Sequence, residues 1–327
     1  MRMAITGSIA TDHLMVFPGR FAEQFLTTQI EHVSLSFLAD RLDVRKGGVA
    51  ANISFGLGLL GLRPVLVGAA GVDFAEYDGW LRGAGVDTAS VRVSETLHTA
   101  RFVCTTDIEQ NQIATFYAGA MTEARHLDLH QVARRTAMLG LVLIGADDPE
   151  AMLRHTAAAH AMGLPVAADP AQQLARLDAA QTRTLVDGAQ LLFTNAYEAA
   201  LLQERTGWSE QDVLARVGTW IVTHGADGVS ITTRAAGRRD IPAVTTDAAA
   251  DPTGVGDAFR AGFLAGRAWH LPDERAAQLG CALATVVLES VGTQEYKLLA
   301  ADLLARIDRA YGSTAAHEIE PHLAGVS

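Results

Sequence analysis

The chain has 327 residues, two cysteines and a formal net charge of −11. That length suits one large α/β domain with an accessory piece better than two unrelated domains. The acidic balance, with no dense basic block to offset it, repels nucleic-acid backbones and anionic membranes, so neither is an expected partner. Cys104 and Cys281 lie far apart in sequence, which suggests neither a disulfide framework nor a cysteine metal cluster. No stretch is long and apolar enough to span a bilayer, and the first residues enter an apolar run without a signal-peptide pattern; a cytoplasmic protein is expected. Lys46 and Lys297 are the only lysines, and neither stands in a Gly-Lys-Ser/Thr string, so a lysine P-loop is excluded. Any phosphate site must rely on backbone amides and arginine.

In chain order, residues 3–9 read as a buried first strand and 49–60 as a small-residue helix following Gly47 and Gly48. Between them, Phe17, Phe25, Val33, Leu35 and Phe37 fall in short, partly alternating patches without helical period, the pattern of inserted strands. Residues 97–117 alternate through Arg101, Phe102, Val103 and Cys104, turn polar, and return through Ile113, Ala114, Thr115 and Phe116, which predicts a hairpin. Strands are then expected at 141–144, 166–168, 191–194 and 220–223, each followed by a helix. That rhythm implies a mainly parallel sheet with helices on both faces. Ligands on such sheets bind beyond the carboxyl ends of the strands, positions held here by Asp147, Asp169, Asn195 and Gly225.

The strongest chemical signal is the run Asp251-Pro252-Thr253-Gly254-Val255-Gly256-Asp257-Ala258-Phe259. Gly254 and Gly256 let a loop gather consecutive N–H groups, and the small apolar run from Asp257 reads as a helix starting there. Together they predict an anion hole, suited to the charge that develops on a phosphoryl group in flight. Asp257 stands where it can accept the proton of an attacking hydroxyl. A helix N-cap after a flexible turn would use the same residue types. Several histidines are set aside. His155 and His160, five apart, do not share a helical face and are read as surface residues; His13 follows Asp12 along a strand or loop and points away from it; His224 occupies a variable turn.

These strings resemble the ribokinase-like (PfkB) family of carbohydrate and nucleoside kinases. Residues 251–263 match its Asp-Thr-x-Gly-x-Gly-Asp signature, except that Pro252 replaces the usual Thr. Gly47, Gly48 and Asn52, then Gly58, Gly61, Gly68 and Gly71, match its N-terminal signature. The resemblance implies a three-layer α/β/α core over 1–10, 47–96 and 119–327, with a mainly parallel central sheet. It implies a small β-strand lid over 11–46 and 97–118, which also clasps a second copy into a homodimer. It implies Asp257 as catalytic base beside Gly254, Val255 and Gly256, and Asn195, Thr223, Gly225, Gly228 and Gly256 around ATP. Glu198, in Asn195-Ala196-Tyr197-Glu198, would organise Mg²⁺ through water, which suits a small cation that keeps its hydration. A monovalent cation such as K⁺, held by backbone carbonyls, is a further family expectation.

Within the family the chain is similar to the bacterial adenosine kinase branch, through residues 6–14, 34–37, 99–102 and 169–174. That implies transfer from ATP to the ribose 5′-hydroxyl of adenosine, in purine salvage, with Ser8, Asp12, Ser36, Gly48, Asn52, Phe102, Phe116, Gln172 and Gln173 around the nucleoside. Asp12 would grip two ribose hydroxyls and Asn52 a sugar hydroxyl. Gln172 and Gln173 both donate and accept hydrogen bonds, and Phe102 and Phe116, on opposite arms of the hairpin, are expected to sandwich the purine. Two other readings stay open: a sugar kinase of the ribokinase or fructokinase kind, and a catalytically silent nucleoside-binding module on the same fold.

Overall fold

Continuous apolar runs, whose side chains alternate between two faces, build the centre of the molecule. In β1 (Arg2–Thr6), Met3 and Ile5 enter one core and Ala4 the other, so the strand is buried on both faces. The computed structural model describes residues 1–24, 35–136 and 138–326. The remaining strands, in chain order, are β2 (Ala10–Val16), β3 (Arg41–Gly47), β4 (Val65–Val67), β5 (Ala69–Ala70), β6 (Arg92–Val93), β7 (Ala100–Thr106), β8 (Gln112–Tyr117), β9 (Leu139–Ile144), β10 (Val166–Ala168), β11 (Leu191–Asn195), β12 (Thr219–Thr223), β13 (Val229–Thr233) and β14 (Gly237–Ile241).

Eight strands form one sheet in the order β14-β13-β12-β11-β10-β9-β1-β4, parallel from β12 to β4. Helices Val49–Leu59, Val255–Ala268, Asp273–Leu288 and Ala300–Tyr311 bury their apolar residues in the core on one face. Helices Leu129–Thr136, Pro149–Ala161, Ala179–Val186 and Ala196–Thr206 do so on the other, which completes the expected three layers. A separate four-stranded sheet, β3-β2-β7-β8, comes from the two segments read as inserted strands and hairpin. Phe25 and Val33 lie outside the described residues.

Three boundaries differ from the sequence reading. β1 ends at Thr6 rather than residue 9, because the chain leaves the sheet there: Ser8 N–H reaches Ala146 C=O at 2.9 Å while Ser8 and Ile9 stay buried. Apolar patterning reports burial and cannot see that departure. β12 is followed by a hairpin and not a helix, since a short turn at Gly225–Asp227 sends the chain back antiparallel as β13. The helix placed at Asp257 starts two residues earlier, at Val255.

Two buried polar groups stand out. His155, read as a surface residue, is 1% exposed inside the Pro149–Ala161 helix, and burial pushes its pKa down to about 4. The five-residue spacing separates it from exposed His160 by well over a quarter turn, so one histidine faces the core and the other water. Asp147, just after β9, is buried with no cation against it among the described residues. Its Oδ1 accepts the Asp148 N–H at 2.8 Å and its Oδ2 has no partner there. Burial raises its pKa to about 8. A carboxyl so raised costs stability progressively as pH climbs from its ordinary 3.8 toward about 8, because the unfolded chain ionises first. Asp147→Asn should therefore raise the melting temperature relative to the parent by an amount that widens from pH 5 to pH 8. A gap that stays constant across that range, measured by thermal melts, would contradict the assignment.

Candidate active site

Two clefts open at the carboxyl ends of the parallel strands and touch at Val49, Gln172 and Asp257. The smaller, about 470 Å³, lies between the main sheet and the second sheet. The larger, about 820 Å³, lies over β11, β12 and the first turn of the Val255–Ala268 helix. Asp257 is thus a wall common to both.

The smaller cleft gathers Ser8, Asp12, Gly48, Asn52, Phe102, Phe116, Gln172 and Gln173. Ser36 is not among them; it is exposed on the coil before β3. Ser8 Oγ accepts the Val49 N–H at 3.0 Å and so ties down the start of the Val49–Leu59 helix. Gly48 stands just ahead of that helix with φ 97°, where a Cβ would meet Ser8 O and Ala10 N at 2.6 Å each, so no other residue fits. Asp12 is driven up to about pKa 6, first by burial and then by Glu295 and Asp251, with Arg45 opposing. Gln173 is 6% exposed, and its Oε1 has no protein partner among the described residues, so an acceptor is left waiting in the cleft.

The two phenylalanines depart from the expected sandwich. Phe102 on β7 pairs directly with Phe116 on β8, so both side chains leave the same sheet face side by side. They make one aromatic wall, on the face that also carries Asp12 and Arg45. A hairpin sets directly paired residues abreast, and a sandwich needs its second leaf from elsewhere.

The larger cleft gathers Asn195, Glu198, Thr223, Gly225, Gly228, Val255, Gly256 and Asp257. Asn195 and Glu198 form a reciprocal capping box at the Ala196–Thr206 helix: Asn195 Oδ1 accepts Glu198 N–H and Glu198 Oε2 accepts Asn195 N–H, each at 2.8 Å. The Asn-x-x-Glu spacing is what that cap requires. Glu198 Oε1 makes no such bond and stays available to a hydrated cation. At the neighbouring helix, the N–H groups of Gly256 and Asp257 have no protein acceptor among the described residues, as an anion hole demands. Gly254, in the left-handed region at φ 78°, makes the turn into that helix, and a Cβ there would lie 2.8 Å from Thr293 Cγ2.

Asp257 itself is held between opposing influences. Burial pushes its pKa to about 6, while Arg260 and a hydrogen bond from Asn52 Nδ2 to Oδ2, at 2.8 Å, pull it back. Arg260, one turn further along the helix, is buried, with Nε 2.6 Å from Asp169 Oδ2 at the end of β10. Asn52 was expected to reach a sugar; it touches Asp257 first, and its Oδ1 lies near Thr293 Oγ1 at 2.9 Å and Gln294 Nε2 at 2.8 Å. Sequence reasoning missed Arg260, Thr293, Gln294 and Arg176, all at or beside the clefts. The first was within reach, since a residue three after Asp257 shares its helix face. The others belong to no motif singled out in the sequence, and packing between distant segments brings them to the site.

The fold has solved counterparts. A model of the pfkB family of carbohydrate kinases matches residues 8–299. A nucleoside kinase from Methanocaldococcus jannaschii is 30% identical over 250 residues, covering 76% of this chain and 80% of that protein. The structure of Burkholderia thailandensis nucleoside kinase in complex with inosine is 34% identical, with a TM-score of 0.83 over 96% of this chain and 99% of that one. The M. jannaschii nucleoside kinase structure, an archaeal member of the ribokinase family, is 25% identical with a TM-score of 0.82, covering 94% of this chain and 98% of that one. With a match that spans both clefts and Asp257, the chain belongs to the pfkB family of carbohydrate kinases and has the ribokinase-like fold.

Proposed function

We propose that this chain is an ATP-dependent nucleoside kinase whose acceptor is the 5′-hydroxyl of adenosine. The observation that carries the reading is the shared wall: the smaller cleft meets the larger one at Asp257, beside unpartnered helix N–H groups. In this reading the nucleoside lies in the smaller cleft, against the Phe102–Phe116 wall and Asp12, and ATP lies in the larger. The 5′-oxygen attacks the γ-phosphorus, the bond from that phosphorus to the ADP oxygen breaks, and the hydroxyl proton passes to the Asp257 carboxylate. The amides of Gly256 and Asp257 meet the charge that grows on the transferring group. Glu198 would hold Mg²⁺ through water, and that ion supplies charge neutralisation on the phosphates. A monovalent cation would sit beside the 251–254 loop, which the Asp251 carboxylate ties to Gly292 N–H at 3.0 Å and Thr253 N–H at 2.9 Å.

The solved relative with inosine supports a nucleoside over a free sugar, and an aromatic wall is of little use to a bare sugar ring. Mg-ATP assays with adenosine, inosine, guanosine, cytidine, ribose and fructose test the choice. Turnover confined to a sugar would overturn the nucleoside reading, and no turnover with any acceptor would leave a silent binding module.

Three outcomes are expected. Asp257→Asn should fold normally and lose on the order of 10²- to 10⁴-fold in kcat, because the amide keeps the shape and removes the base. In the parent, kcat/KM should fall as pH drops through about 6, where both Asp257 and Asp12 take up their protons; a flat profile from pH 5 to 8 contradicts this. Phe102→Ala should raise KM for adenosine roughly tenfold or more while KM for ATP changes far less, since a lost stacking surface costs about 1 to 3 kcal/mol. Equal rises in both would show that the ring only packs the sheet.

A further outcome concerns a second copy. On the face of the second sheet opposite Asp12 and Phe102, Leu42, Val44, Ile113 and Tyr117 are all exposed and stand in register. Four large apolar side chains on one sheet face, with β3 and β8 at the edges of the sheet among the described residues, suit pairing with another copy of the same sheet. Sedimentation at micromolar concentration should give a homodimer, and Ile113→Asp should give a monomer. A monomeric parent would contradict the clasp.

A further inference from the structure

Asn52 offers Asp257 an N–H and not a carbonyl, and the groups around its Oδ1 decide that orientation. A carboxamide has a donor end and an acceptor end of nearly the same shape, so sterics alone do not choose between them. The wrong choice would set Oδ1 of Asn52 against a carboxylate oxygen, acceptor against acceptor. The choice is made by a hydrogen-bond chain that begins at a group with only one sense. The indole Nε1–H of Trp80, which can donate but not accept, meets Gln294 Oε1 at 3.1 Å. Gln294 therefore turns Nε2 inward, giving one hydrogen to Asn52 Oδ1 at 2.8 Å and the other to the Tyr77 hydroxyl at 2.6 Å. Tyr77 is free to accept because its own O–H is spent on the Gly47 carbonyl at 2.8 Å. With Oδ1 occupied by Gln294 Nε2 and within reach of the Thr293 hydroxyl at 2.9 Å, Asn52 presents Nδ2 to Asp257 Oδ2 at 2.8 Å.

The chain is sheltered and braced. Gln294 is 1% exposed, so water does not compete for its amide. Trp80 is 43% exposed, yet its ring stacks on Phe55 with centroids 5.7 Å apart, which aims the indole N–H inward. We infer that Gln294 is a positioning residue for phosphoryl transfer and that Trp80 sets its polarity: the Trp80–Gln294–Asn52 chain aims a donor at Asp257 and fixes the carboxylate where the two clefts meet. Nothing in the first or second glycine signature marks either residue. The inference rests on the reading of Asp257 as the general base.

The test compares the parent with Gln294→Met, Trp80→Phe and Asp257→Asn by steady-state kinetics from pH 5 to 9. Methionine fills the glutamine's space without a donor, and phenylalanine keeps the stack on Phe55 without the indole N–H. Arg260, Asp169 and Glu198, the charged groups that act on Asp257 from its own and other elements, are untouched in the first two variants. Gln294→Met should lower kcat about ten- to a hundredfold, the scale of one hydrogen bond to a charged group, with KM for ATP unchanged. Its acid limb should move to higher pH, because a carboxylate that loses a donor holds its proton longer. Trp80→Phe should shift both quantities in the same direction by less. The parent's kcat and acid limb in Gln294→Met, with Asp257→Asn inactive, would overturn the inference and leave the base in place. So would a fall in kcat with an unmoved limb, the mark of distant structural damage. Should Gln294→Met fail to fold, Trp80→Phe decides alone, and parental values there overturn the proposal. Full activity in Asp257→Asn would sink the base reading itself, a distinguishable result.

Discussion

In the proposed function the candidate site turns on one conflict: Asp257 must be dry enough to do proton chemistry and must still be charged. Burial drives its pKa to about 6, and without opposition would drive it further. The opposition comes from two directions. Arg260 supplies a fixed positive charge from the same helix, and Asn52 supplies a donor from the Val49–Leu59 helix across the cleft. A base near that value is mostly ionised at neutral pH and still basic enough to take a proton in the transition state. Arg260 is itself costly to bury, and its partner Asp169, fully enclosed at the end of β10, makes it tolerable. The ion pair is better understood as a support for Asp257 than as a source of stability.

The same balance of charge bears on the larger cleft. Asp169, Glu198 and Asp257 surround one guanidinium, so the wall of the larger cleft carries more negative charge than positive before any phosphate arrives. No P-loop lysine corrects this, since the two lysines lie elsewhere in sequence. The N–H groups of Gly256 and Asp257, without an acceptor among the described residues, would stabilise the proposed phosphoryl group without adding a formal charge. In the proposed function a polyphosphate would enter such a cleft with its own hydrated cation, and Glu198, half committed to its capping box, has one oxygen to offer the ion's water.

Glycines and repeating strands were legible in the sequence because their physics is local. The 251–257 run, the Gly47-Gly48 junction and four parallel strands all follow from short windows of residues. What stayed hidden was decided by packing between distant segments. His155 and Asp147 look like ordinary polar residues, and only the completed core reveals that they are buried. Phe102 and Phe116 were correctly placed on a hairpin, but register turned an expected sandwich into a single wall. Gln294 comes 242 residues after Asn52, which it touches, so no window contains both. Arg260 was the avoidable omission, since its helical offset from Asp257 was already in view.

That single aromatic wall constrains how the proposed nucleoside site divides its labour. If the second sheet supplies only one face for a base, the opposite face belongs to the main core, where Gln172 and Gln173 line the cleft. Stacking then depends on how closely the two sheets approach, whereas the pattern of donors and acceptors is set on the rigid side. The unpartnered Oε1 of Gln173 is an acceptor already desolvated before any ligand arrives. A ligand that brings a donor to it relieves a standing cost, and one that brings an acceptor adds to it. Affinity for a flat ring would accordingly track the second sheet, and discrimination among bases would track the core.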